Sequence, residues 1–193
     1  MNRRGMDDVR VLVASAASIY VVLAIAMGVI PGRVLSATPP GPGVTPLSEA
    51  AARGRDVYVG EGCSYCHTQQ VRPLAQDRVW GRPSTRGDYA FSTPQLLGTE
   101  RTGPDLSNIG ARQPSAVWQL IHLYQPRSVV HASIMPAYPW LFAVKSAAAP
   151  GDVTVAVPPG YAPAGVVVAT QRAQDLTAYL AALKQAPLPT AAP

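Results

Sequence analysis

Residues 11–30 (VLVASAASIYVVLAIAMGVI) run for twenty positions without a charged side chain, and this constrains the fold more than any other stretch of the sequence. At helical rise the run is about 30 Å long, the thickness of a bilayer core. A helix packed on a soluble core keeps a polar face, whereas this one is apolar or small all round. It reads as a transmembrane anchor. A cleaved signal peptide, cut near Ala37, is the rival, but the run is longer than the usual h-region of about 7–15 residues and Leu35 fits poorly before such a cut. Arg3, Arg4 and Arg10 precede the run, and only Arg33 follows it closely. That asymmetry puts residues 1–10 in the cytoplasm and everything beyond the span in the periplasm.

The anchor accounts for part of the low charge of the 193-residue chain, where charged residues make up 14% against a usual share of about 25%. A net charge of +5 without any Lys/Arg run is too mild and too scattered to argue for nucleic-acid binding through phosphate contacts, and no nucleic-acid partner is expected. Two cysteines exclude a disulfide scaffold and a four-cysteine zinc site. The 20 prolines leave no room for long regular elements beyond the span. Residues 31–46 are rich in Pro and Gly and read as an extended tether. A folded domain is expected over residues 47–185, with a flexible tail at 186–193. Within the domain a helix is expected over about 46–59, with Thr45 as its N-cap and Pro46 at its first position. A second follows Pro114 and carries Val117, Trp118, Ile121 and His122 up to Pro126. A third covers 171–184, with Leu176, Tyr179, Leu180 and Leu183 on one side. Residues 72–101 and 144–169 read as long loops, the latter containing a short hairpin between 152–157 and 165–169.

Chemistry is concentrated at residues 63–67, Cys63-Ser64-Tyr65-Cys66-His67. C-x-x-C-H is the attachment signature of c-type haem. Two thiols three positions apart can each reach a vinyl group of one porphyrin, and the next residue then faces the iron. A thioredoxin-like dithiol requires a preceding strand and a βαβ setting, whereas a helical pattern precedes this motif. One covalently bound haem c is therefore expected, linked through Cys63 and Cys66, with His67 as an axial ligand.

Electron transfer favours a second axial ligand, because a six-coordinate iron leaves no place for a substrate. Of the four methionines, Met1, Met6 and Met27 lie before or within the span, so Met135 is the candidate on the haem side, beside Pro136. A thioether raises the reduction potential relative to a second imidazole. His131 and His122 are the alternatives. A metal-ligating histidine also wants an acceptor for its other N–H, and the carbonyl of Pro104, in residues 102–106 (TGPDL), can supply one. Arg72, Arg101 and Arg127 could pair with propionates or acidic partner residues, although a compositional habit, 14 Arg among the 16 basic residues, accounts better for any single one. Trp118, Tyr138 and Trp140 could pack on a porphyrin or at an interface, and plain core packing accounts for them equally well.

Taken together, residues 54–58 (GRDVY), 62–67 (GCSYCH), 69–73 (QQVRP), 101–106 (RTGPDL), 122–127 (HLYQPR) and 135–141 (MPAYPWL) resemble the membrane-anchored mono-haem subunit II (FixO/CcoO type) of the cbb(3)-type cytochrome c oxidases. The resemblance spans about half of the chain and departs from the family at Gln70, Val71 and residues 144–169. It implies a mainly α protein: one N-terminal transmembrane helix plus a class I cytochrome c-like domain with long Pro/Gly-rich loops, in the bacterial inner membrane. It implies thioether links at Cys63 and Cys66, axial ligation by His67 and Met135, and the Pro104 carbonyl as acceptor from His67. It further implies an electron-transfer role: a di-haem or soluble c-type cytochrome donates, and the catalytic haem-copper subunit accepts and reduces oxygen. An anchored cytochrome subunit of nitric oxide reductase, a stand-alone anchored carrier and a haem sensor with an open coordination site are the competing classes.

Overall fold

The computed structural model of the chain describes residues 3–98 and 100–186. The tail expected at 186–193 lies, apart from Ala186, outside the described residues, as do Met1 and Asn2. Contacts divide the chain into two units, Met1–Pro39 and Pro40–Pro193.

The first unit is helical. Helix α1 covers Arg3–Ala24, a wider π-helical turn covers Ile25–Val29, and α2 covers Ile30–Ser36. Asp8–Ser36 is long and apolar enough to cross a membrane, with a mean hydropathy of 2.3 in its most apolar window. Helix thus extends six residues into the segment expected to be an extended tether. Pro31 does not stop it. Its ring would crowd the Met27 carbonyl in a regular helix, and the wide turn at Ile25–Val29 lies where that crowding would fall.

The second unit is built on two helices crossing at a glycine. Helix α3 (Glu49–Gly60) begins after Ser48, whose hydroxyl accepts from the Ala51 N–H at 3.3 Å. Ser48, and not Thr45, is the cap, because it holds the extended backbone that a cap needs while Glu49 opens the helix with a favourable negative charge. Helix α6 (Gln171–Ala182), capped by Thr170, packs across it. A Cβ on Gly54 would stand 2.8 Å from the Tyr179 Cβ and would collide with the Asp175 carbonyl, so only Gly allows this approach. Arg53 closes the crossing with two bonds to Asp175, 2.9 and 3.0 Å. Helix α6 ends at Ala182, two residues before the expected boundary. The chain is drawn aside there: the Gly110 N–H donates to the Leu183 carbonyl and the Gln185 N–H to the Asn108 side chain.

Helix α4 (Ile109–Arg112) is a single turn, and α5 (Ala116–Tyr124) starts on the cap Ser115. It ends before Gln125, which precedes Pro126 and is forced into extended backbone. Strand β1 (Phe142–Lys145) pairs antiparallel with β2 (Val166–Ala169), Phe142 opposite Ala169. The hairpin expected between 152–157 and 165–169 is reduced to one bridge, Thr154 with Val168. Strand β2 lies between the two partners, which buries Val167, Val168 and Ala169 in a row and explains their uninterrupted apolar run. Tyr58, Leu106, Leu120, Leu141, Leu176 and Tyr179 form the centre of the hydrophobic core.

Residues 72–101 are organised around carboxylates. Asp77 accepts from the Arg72 backbone and guanidinium at 2.8–3.1 Å and pairs with Arg101. Asp105 accepts from the Thr68 hydroxyl at 2.6 Å and from the Gln70 and Ser107 N–H groups at 2.8 Å. Arg101 also donates to the Thr68 hydroxyl at 2.8 Å. Arg72 and Arg101 are thus committed to fastening loops, while Arg127 is exposed.

Candidate cofactor cleft

Helix α3 leads into the C-x-x-C-H segment through Gly62, whose φ of +72° reverses the chain. Cys63–Tyr65 then forms one tight turn, closed by the His67 N–H on the Cys63 carbonyl at 3.0 Å. The turn brings Cys63, Cys66 and His67 to one wall of a cleft of about 380 Å³. Pro104, Met135, Tyr138, Trp118 and His122 line the same cleft. All five residues singled out in the sequence for one site therefore border a single cavity.

Residues 101–106 run beside the motif, held by the Gly103 N–H on the Cys66 carbonyl and the Leu106 N–H on the Thr68 carbonyl, both 2.8 Å. This register sets the Pro104 carbonyl 2.8 Å from Nδ1 of His67. A carbonyl can only accept, so Nδ1 carries the proton and Nε2 keeps its lone pair. Burial favours the neutral ring and pushes the His67 pKa below its ordinary value, partly opposed by the Pro104 bond and the charge of Asp105. Gly103 makes the approach possible: a Cβ there would lie 2.7 Å from Nδ1.

The cysteines are unpaired, Cys63 half-buried and Cys66 exposed. Burial, then the negative charge of Glu61, pushes the Cys63 thiol up to about 12. Met135 is half-buried against the core, in a loop held at its far side by the Tyr138 N–H on the Leu123 carbonyl, 3.0 Å. His131 is exposed and is not part of the cleft wall. His122 is part of it, its ring stacked on Trp118 with centroids 4.6 Å apart. Its Nδ1 is buried without a partner, and burial, then the proximity of the titratable His67 ring, pushes the pKa down to about 4. Tyr138 is raised to about 12 by burial and by the neighbouring Cys63.

This set of groups suits an iron porphyrin: two unpaired thiols three positions apart, a neutral imidazole with a free Nε2, a thioether, and apolar walls that keep water away. Glu61 has no role in the sequence reading, yet it receives the Trp140 indole N–H at 2.9 Å and the Arg172 guanidinium at 2.7 Å. Its signal was its position, an acid at the C-terminal end of a helix, where the helix dipole disfavours it.

The family model described as "Cytochrome C oxidase, mono-heme subunit/FixO" matches residues 4–158. No curated protein matches the chain.

Proposed function

Since the chain belongs to the FixO family, the mono-haem subunits of cytochrome c oxidase, we propose that it relays electrons from a c-type cytochrome, di-haem or soluble, to the catalytic haem-copper subunit in aerobic respiration. The observation that carries this reading is the convergence of Cys63, Cys66, His67, Pro104 and Met135 on one cleft. A haem bound there supplies one-electron exchange at its iron. Cys63 and Cys66 would hold it covalently. His67, through Nε2, and Met135, through its sulfur, would be the ligands of its iron, and an iron so held would exchange electrons without binding a substrate. The Pro104 carbonyl fixes the His67 ring and its tautomer. The thioether and the apolar walls raise the reduction potential relative to a bis-histidine, water-exposed site.

In this reading oxygen is reduced in the partner subunit and not in this chain. The anchor crosses the inner membrane with its N-terminus in the cytoplasm, supported by Arg3, Arg4 and Arg10 ahead of the span. The cleft then faces the periplasm. A tag on this chain tests the proposal: the complex purified from native membranes is expected to contain the haem-copper subunit and to consume oxygen with a reduced c-type cytochrome as donor. Consumption of nitric oxide in place of oxygen, or oxygen turnover by the isolated chain, overturns it.

A further inference from the structure

Trp140, Glu61 and Arg172 come from three separate parts of the chain and meet at one carboxylate. Trp140 lies in the short turn Pro139–Leu141 that ends the Met135 loop, Glu61 closes α3 two residues before Cys63, and Arg172 lies in the first turn of α6. Glu61 Oε2 accepts from the Trp140 indole N–H at 2.9 Å, and Oε1 from the Arg172 guanidinium at 2.7 Å. The Glu61 side chain is only 11% exposed, against 58% for Arg172.

Helix formation does not explain this arrangement. An acid at the C-terminal end of α3 and a cation in the first turn of α6 each oppose their own helix dipole. Each becomes favourable only through the other. The rest of the Met135 loop is fastened elsewhere, by Tyr138 to Leu123 in α5 and by Leu141 to Thr170. The Trp140–Glu61 bond instead ties the loop to the segment that carries the cysteines.

We propose that Glu61 is a positioning residue that latches the Met135 loop shut across the cleft, with Arg172 holding the carboxylate in place. The proposal rests on Met135 as the axial ligand. An unlatched loop spends more time open, so an external ligand displaces the Met135 sulfur more easily.

The test uses the full-length, haem-loaded ferric protein in detergent, titrated with imidazole. The readout is loss of the sulfur-to-iron charge-transfer band. Glu61→Ala and Trp140→Phe, the latter keeping an aromatic ring beside Tyr138 and losing the N–H with the pyrrole half of the indole, are expected to bind imidazole about tenfold more tightly, close to 1.4 kcal/mol. Arg172→Ala is expected to give about a twofold change, because the Trp140 bond survives. Arg53→Ala breaks the other ion pair joining α3 and α6, the one to Asp175, and is expected to leave imidazole binding unchanged. Trp140→Phe with unaltered affinity, or Arg53→Ala shifted as far as Glu61→Ala, overturns the latch and leaves the Met135 reading standing. An unmutated protein without the sulfur band overturns that reading and the latch with it.

Discussion

At the scale of single residues, the cleft depends on groups that are small or placed against their own helix. Met135→Ala removes the one candidate sulfur, so the charge-transfer band is expected to vanish from the ferric spectrum while the haem stays bound through Cys63 and Cys66. Retention of the band would exclude Met135. Gly103→Ala drives a methyl into the His67 ring, 2.7 Å from Nδ1, and either the ring or residues 101–106 must move away from the 2.8 Å bond to Pro104. Overpacking of this kind costs about 1–3 kcal/mol, expected as a lower unfolding free energy in denaturant titration of the holoprotein. Asp77 is held well below the usual carboxylate range first by the Arg72 guanidinium and then by Arg101. Its folded pKa lies under the ordinary 3.8, so its contribution is complete above that value and disappears as acid protonates it. Asp77→Asn is expected to lower stability at neutral pH and to flatten the acid-induced loss below about pH 4, read from unfolding midpoints across pH.

At the scale of elements, the α3–α6 crossing sets two effects against each other at Gly54. Ala is the better helix former by up to about 1 kcal/mol, but its Cβ would collide with the Asp175 carbonyl and crowd Tyr179. The collision wins, because a backbone carbonyl cannot turn aside as a flexible side chain can. Gly54→Ala is therefore expected to destabilise the protein by about 1–3 kcal/mol in denaturant titration. Unlike the single turn α4 and the extension α2, helices α3, α5 and α6 were legible in the sequence, from a proline beside a cap residue or from an apolar stripe. Their ends were less so: Thr45 and Ser48 are both acceptable caps on paper, and tertiary bonds to Leu183 and Gln185 cut α6 short. Strand β1 was missed because four residues following a proline-rich block show too little alternation to stand out. The cysteines and His67 stood out because their motif is contiguous, while Pro104, 37 positions from His67, was reached through the need of a ligating imidazole for an acceptor. Glu61 was not, since its partners lie 79 and 111 positions away.

At the scale of the whole molecule, the division after Pro39 separates a membrane-spanning candidate from the unit that contains the cleft. A chain beginning at Pro40 is expected to be soluble without detergent and to show the same haem absorption as the full chain, while no longer sedimenting with membranes. An altered spectrum would mean that the first unit supports the cleft. The crossing of α3 and α6 also sets a timetable. Arg53 and Asp175 are 122 positions apart, so a chain made from its N-terminus presents α3 with no partner for its buried side until α6 has been synthesised. Throughout that interval the two thiols beside α3 stand before an unfinished cleft. Leu176 and Leu180 complete its lining only when the last helix arrives.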